Sequence, residues 1–190
     1  MAFATTRIFR VEQGNLAIQS AQASDCEELL TFIRTVNGET DFLARGAEEF
    51  YMTAKDERRF IEDKRNNPKE LFLTARYNGL LVGTLSFCSS PLIRFSHKGS
   101  FGISILRDYW GLGIGKKLIE TMIEWADANG IVKTTLEVDS LNQRAIHLYK
   151  SFGFQEEGFF RMDRQMENKE FRDSIAMARF NPYYSRKVKV

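Results

Sequence analysis

The chain has 190 residues, and its 27 basic and 25 acidic side chains leave a net charge of +2. That near balance gives no reason to expect nucleic acid as the main partner. A 43% hydrophobic content with 16 Phe suits one domain, residues 1–190, with a sizeable core.

In chain order, Leu16, Ile18 and Ser20 alternate with polar neighbours and predict a weak first strand. Ser24-Asp25-Cys26-Glu27 reads as a helix start, with Ser24 capping and Glu27 completing a capping box. Leu29, Leu30, Phe32, Ile33 and Val36 supply that helix's buried face. A polar loop with Gly38 and Gly46 follows, then a second helix over about Thr53–Asn66, ending before Pro68. Leu71–Ala75 and Leu81–Phe87 flank Asn78-Gly79, a strong hairpin signal. Past a loop with Pro91, a strand is expected over Ser100–Leu106.

Tyr109-Trp110-Gly111-Leu112-Gly113-Ile114-Gly115 then runs into a helix with Leu118, Ile119, Met122, Ile123 and Ala126 on one face, closed by Asn129-Gly130. A strand (Lys133–Val138), a helix (about Asn142–Ser151) and Gly153 come next. Two last strands, around Phe159-Phe160-Arg161 and over Ser174–Arg179, join near Glu167-Asn168-Lys169. An antiparallel front and a strand–helix–strand back predict an α+β or mixed α/β three-layer sandwich. The tail Arg186-Lys187-Val188-Lys189 reads as a solvated basic terminus. Cys26 and Cys88 form no Cys-x-x-Cys pair, and His97 and His147 are the only histidines. No metal site is therefore expected, and two reduced, partly buried thiols suit a cytoplasmic protein. The first eleven residues lack a long apolar run and no stretch reaches transmembrane length, so neither export nor membrane insertion is expected.

Gly111, Gly113 and Gly115 alternate between a strand and a helix. Glycines let the backbone approach a ligand, and the helix N-terminus favours a phosphate, with Lys116 and Lys117 adding charge. The other reading is a tight turn needing positive φ. A Walker loop would need Gly at 110 and a hydroxyl at 117, where Trp110 and Lys117 stand; a dinucleotide fingerprint would need Gly at 116, where Lys116 stands. What remains resembles the pyrophosphate loop of the GNAT family of N-acetyltransferases, Gln/Arg-x-x-Gly-x-Gly/Ala. Gly113 and Gly115 match its glycines, and Trp110 departs from its first position. The run from Leu136 to Phe154, with Asn142, Ala145, Leu148-Tyr149 and Gly153-Phe154, resembles the family's second coenzyme A motif at family spacing.

The resemblance implies a domain core over about 16–180 and a mostly antiparallel sheet with a splayed parallel central strand pair. It implies acetyl-CoA as cosubstrate, its arm on the backbone of Ile103, Ser104 and Ile105, and its pyrophosphate on Gly111, Leu112, Gly113, Ile114, Gly115 and Lys116. Asn142, which reads equally as a plain helix cap, would also reach the arm. Tyr149, otherwise a core aromatic, would be the general acid. Glu137 occupies the place of the base glutamate of ribosomal-protein alanine acetyltransferases, with Asp139 or water as rivals. His147 faces elsewhere and is read as surface or core. The implied acceptor is a primary amine, on a small molecule or a protein N-terminus, walled by Val36–Glu57 with its acidic Glu39, Asp41, Glu48 and Glu49 and by the last hairpin. A non-catalytic acetyl-CoA sensor of the same fold is the alternative, and a homodimer is left open.

Overall fold

A computed structural model of the chain describes residues 4–11 and 14–184. The basic segment Arg186-Lys187-Val188-Lys189 lies outside the described residues. The elements are β1 (Arg7–Val11), β2 (Gly14–Ser20), α1 (Cys26–Glu39), α2 (Ala54–Asn66), β3 (Leu71–Tyr77), β4 (Leu80–Ser89), β5 (Lys98–Ile105), α3 (Ile114–Ala128), β6 (Lys133–Asp139), α4 (Gln143–Ser151), β7 (Gln155–Gln165) and β8 (Phe171–Phe180). This is the expected α/β class. Its eight strands are ordered β1-β2-β3-β4-β5-β6-β8-β7 and mostly antiparallel, with β5 and β6 parallel. Among the described residues no helix is long and apolar enough to cross a membrane.

The chain divides into two compact units. The first comprises Met1–Cys88 and Gly102–Ile123. Its β1, β2, β3 and β4 form an antiparallel meander. Asn78 and Gly79 both take positive φ, 50° and 89°, which suits a two-residue hairpin turn. Residues Leu71 to Ala75 are all buried, so both faces of β3 are covered. Leu29, Phe32 and Val36 of α1 and Ile61 of α2 form one apolar cluster with Phe72 and Leu81. Thr53 and Asp56 cap α2 reciprocally, each accepting the other's backbone N–H.

Three expectations need correction here. The α1 start is set one residue later than Ser24: a 3-10 turn spans Ala23–Asp25, the Gln22 N–H donates to Asp25 Oδ2 at 2.8 Å, and Asp25 is the N-cap of α1. β1 was not anticipated, because Arg7–Val11 alternates without a flanking turn signal and is held by its ladder to β2. The thiols also differ: Cys26 is fully buried and Cys88 is exposed.

The second unit comprises Ser89–Phe101 and Glu124–Val190. Lys98, Gly99 and Ser100 pair in parallel with Lys133, Thr134 and Thr135. β6 pairs with β8 from Lys133↔Phe180 to Asp139↔Ser174, and β8 pairs with β7 in a hairpin. The hairpin tip lies where expected, with Lys169 at φ 67°. β7 is longer than expected and slips register between Phe160 and Arg164. There Met162 takes φ 52°, and its N–H donates to Asp173 Oδ1 at 2.8 Å. Arg179 donates twice to Asp127, at 2.8 Å each, fastening β8 to the end of α3.

One feature of α2 runs against the core's chemistry. Its buried face carries two charged residues, Glu57 and Lys64. Lys64 is satisfied by Glu70 Oε2 at 2.8 Å, the Phe87 carbonyl at 3.2 Å and Cys88 Sγ at 2.6 Å. Glu57 is 1% exposed, and its Oε1 has no hydrogen-bond partner among the described residues. Burial pushes its carboxyl up to about 7. A carboxyl with a raised folded pKa stabilises the fold least once it is ionised. Its stability contribution is therefore highest below its ordinary value and falls as pH rises through about 7. Glu57→Gln should raise stability by about 2–3 kcal/mol at pH 8 and by almost nothing at pH 4. Urea unfolding at the two pH values checks this, and equal gains at both would contradict it.

Candidate functional site

In the first unit, β5 ends at Ile105 and the chain makes a 3-10 turn over Arg107–Tyr109 before α3 begins at Ile114. Gly111 and Gly113 take φ 93° and 77°. Both need the left-handed region, where other residues are strained. A Cβ on Gly113 would meet nothing nearer than Val11 Cγ1 at 3.9 Å, so the space beside it is open to a ligand. The Lys117 N–H is bonded to the Gly113 carbonyl at 3.2 Å. The amides of Ile114, Gly115 and Lys116 precede the first full helical turn and lack intrahelical acceptors. Lys116 is exposed. This arrangement can hold a phosphate group. Lys117 is engaged elsewhere: it pairs with Glu120 at 2.8 Å and lies over the Phe9 ring. Of the two expected lysines, Lys116 makes no hydrogen bond or ion pair with the described residues and acts on Glu120 only at longer range.

Trp110, where the family pattern has a polar residue, has a different task. Its indole N–H donates to the Ile105 carbonyl at 2.7 Å, clamping the loop to the end of β5. Ile103, Ser104 and Ile105 are all half-buried along the strand that precedes it. On the neighbouring strand, a Cβ on Gly83 would come within 3.2 Å of the Ser104 carbonyl and 3.3 Å of Ile105 Cγ1.

In the second unit, Asn142 is the N-cap of α4 and its Oδ1 accepts the Ala145 N–H at 3.1 Å. The cap reading is therefore met, and the side-chain amide N–H groups remain for another acceptor. Tyr149 lies two turns further on and is buried in an edge-on aromatic trio with Phe101 and Phe154. Burial pushes its phenol up to about 12. Its hydroxyl makes no hydrogen bond to the described residues, yet it is not a sealed, unsatisfied atom. It therefore keeps its proton at neutral pH. His147 is exposed and hydrogen-bonds its own helix through the Gln143 carbonyl.

The two carboxylates of β6 have opposite environments. Asp139 has a fully buried side chain that accepts from Arg164 and Arg172 at 3.3 Å each and from the Leu141 N–H at 2.9 Å. It anchors the β7–β8 hairpin, and its lone pairs are spoken for. Glu137 is exposed and makes no hydrogen bond or ion pair with the described residues. Beside it across the sheet stand Ala176 and Gly158, whose small size leaves its flank open. The expected acidic wall is largely self-satisfied: Glu39 Oε2 accepts the Arg107 N–H at 2.7 Å, and Glu49 Oε2 accepts the Gly46 N–H at 2.8 Å. Sequence reasoning missed the arginine pair on Asp139 and the buried Glu57, since each depends on residues distant in the chain, and the Trp110 clamp, a local bond that no spacing signals.

The model of a family described as "Acetyltransferase (GNAT) family" matches residues 26–154. Among solved structures, an acetyltransferase of the GNAT family from Streptococcus pneumoniae is 32% identical, with a TM-score of 0.84 over 87% of this chain and 98% of that one. The yncA protein of Salmonella typhimurium, solved with its cofactor acetyl-CoA, shares the fold at 17% identity, with a TM-score of 0.79 over 92% of this chain and 99% of that one. Among curated proteins, the ribosomal protein bS18-alanine N-acetyltransferase of Escherichia coli K12 is 39% identical over 56 residues, 30% of this chain and 38% of that protein. N-acetyltransferase 8 of Rattus norvegicus is 32% identical over 94 residues, 48% of this chain and 42% of that protein. The chain thus matches well under two thirds of the length of these curated relatives.

The loop geometry makes one prediction. Gly113→Asp puts a carboxylate into the open space before α3, at a φ that Asp tolerates better than most residues. Coenzyme A affinity should fall at least about tenfold, about 1.4 kcal/mol, with the melting curve still cooperative. Unchanged affinity by calorimetry would remove the loop from the binding site.

Proposed function

The chain belongs to the acetyltransferase (GNAT) family, and from that premise we propose that it moves the acetyl group of acetyl-CoA to a primary amine by direct attack. We read residues 1–190 as one catalytic domain working in the cytoplasm on a small molecule or a protein N-terminus. The observation that carries this reading is the glycine loop with its open helix N-terminus, which suits a pyrophosphate. In this reading Gly111, Leu112, Gly113, Ile114, Gly115 and Lys116 hold the pyrophosphate. The backbone of Ile103, Ser104 and Ile105 pairs with the pantetheine arm by strand addition, assisted by the Asn142 amide.

The chemistry then assigns the remaining groups. The amine nitrogen forms a bond to the acetyl carbon and the carbon–sulfur bond breaks; from the ammonium form two protons leave nitrogen, one to the base before attack and one as the intermediate collapses, and one proton reaches sulfur. An alkyl amine is mostly ammonium at neutral pH, so a base must take its proton. Glu137 is that base, directly or through water, because its carboxylate is uncommitted while Asp139 is held by two arginines. The Ile105 N–H stabilises the oxyanion. Tyr149 protonates the departing sulfur, and its raised pKa of about 12 keeps it protonated at any working pH.

The founding test follows thiol release from acetyl-CoA with a panel of primary amines; release that no amine accelerates would defeat the reading. Tyr149→Phe keeps the aromatic trio and removes the proton. It should lower kcat on the order of 10²-fold and leave acetyl-CoA binding within a factor of two or so. Glu137→Gln should lower the rate by about 10²-fold at pH 7 and recover part of it at high pH, where more amine is neutral. A change in KM alone would make Glu137 a binding group. Superimposable pH–rate profiles would pass the role to water.

A further inference from the structure

Glu57 sits inside the first unit with no partner for its buried Oε1, and its position can be derived. Ala54, the first residue of α2, packs on the same apolar cluster as Leu106. The Leu106 N–H donates to the Val82 carbonyl at 3.0 Å. At its other end α2 places Lys64 on the Phe87 carbonyl and Cys88 Sγ. From Ala54 to Lys64 a helix rises about 15 Å, and from Val82 to Phe87 a strand spans roughly 16–17 Å. The Phe60 ring meets the Phe72 ring edge-on, Phe72 pairs with Ser86, and Lys64 reaches Phe87 and Cys88, so α2 runs alongside β4 in the same direction. Glu57, nearly one turn past Ala54, comes level with Gly83 and Thr84. Lys64 meets the side chain of Cys88, and strand alternation puts Thr84 on that same face of β4. Thr84 Oγ1 lies 3.0 Å from Ser104 Oγ on β5, one residue before Ile105.

We propose that Glu57 is the carboxylate that recognises the acceptor, receiving an ammonium group of a cationic amine above the Thr84–Ser104 hydroxyl pair. Three physical points support it. A buried polar atom without a partner is rare and calls for an explanation. Glutamine at this position would have nearly the same shape without the cost of burying charge. An ammonium ion delivered by a ligand would satisfy the carboxylate, and the two hydroxyls could accept its remaining N–H donors. The acidic loop residues Glu39 and Glu49 are less suited to this task, because backbone amides already occupy their carboxylates.

The inference rests on the acetyl-transfer reading, and the experiment separates the two. Calorimetry measures binding of N,N-dimethylbutylamine, a tertiary amine that is ammonium at neutral pH, keeps an N–H donor and forms no stable amide, to the coenzyme A-loaded protein. In parallel, n-butylamine and 1,4-diaminobutane are tested as acceptors with acetyl-CoA. Wild type should bind the unreactive cation, and Glu57→Gln should weaken it at least tenfold. The same substitution should raise the amine KM at least tenfold, change kcat less than about threefold and leave coenzyme A affinity unaltered. Thr84→Val, which removes one hydroxyl, should shift KM the same way by a smaller factor. An absence of cation binding in wild type below about 10 mM overturns the inference, as does equal binding by wild type and Glu57→Gln. If neither amine is acetylated but the cation binds through Glu57, the acetyl-transfer reading fails on these acceptors and the recognition site stands.

Discussion

The hydrogen bond from the Trp110 indole to the Ile105 carbonyl is the constraint on which the first unit's functional surface depends. A strand must become a helix within eight residues, and the first helical amides must stay free. Left alone, a loop of this kind would sample many conformations at a cost of about 1–2 kcal/mol per ordered residue. Trp110 limits that sampling by tying the middle of the loop to the strand end at 2.7 Å. Gly111 and Gly113 then supply the two left-handed steps that point the chain into α3. The Arg107 N–H bond to Glu39 adds a second tie, from the turn to the end of α1. The departure of Trp110 from the family pattern thus puts a clamp on the loop backbone where the pattern has a polar side chain.

The second unit shows how carboxylates of similar intrinsic acidity are given separate tasks. Asp139 and Glu137 are two residues apart on β6, and strand alternation puts both on one face. Asp139 is enclosed by Arg164 and Arg172, whose hairpin would lose its anchor without it. Removing one member of such a buried group leaves uncompensated charge, so Asp139 is a structural residue first. Glu137 stands in a gap made by Ala176 and Gly158 and stays available. The arginines draw the more buried carboxylate into the fold, and the small neighbours leave the more exposed one open to solvent.

Local signals carried most of the fold. The Asn78-Gly79 turn, the Thr53 cap, the glycines before α3 and the Asn142 cap all act through neighbours within a few residues, and each was legible in the sequence. The α1 start was misplaced because Asp25 and Ser24 are both competent caps, and only the Gln22 N–H bond to Asp25 decides between them. β1 was missed because its five residues acquire their identity from pairing with β2. The loop and the second motif were legible as spacing. The commitments of Lys117, Glu39 and Asp139 were not, since their partners are set by tertiary contacts. Of two residues expected to contribute charge, Lys117 is paired with Glu120, and Glu39 accepts a backbone amide on one carboxylate oxygen.

Glu57 is the residue for which sequence reasoning and folding physics both fail to give a reason. In the sequence it is an ordinary acidic residue near a helix N-terminus, where a negative charge is favourable. In the fold it is turned inward, among side chains that gain from being apolar. Lys64, two turns along the same face, shows what a tolerated buried charge looks like: three polar partners surround its ammonium group. Both residues are buried by the same helix, so burial alone does not separate them. The difference is that one has its partners in the chain and the other does not. Natural proteins seldom keep an uncompensated charge where an isosteric neutral residue would fit, unless activity depends on it. A carboxyl that titrates near 7 is also one that can change protonation state in response to an arriving cation. The cost of Glu57 to the fold and its suitability for a ligand therefore have the same origin, a partner that the polypeptide does not supply.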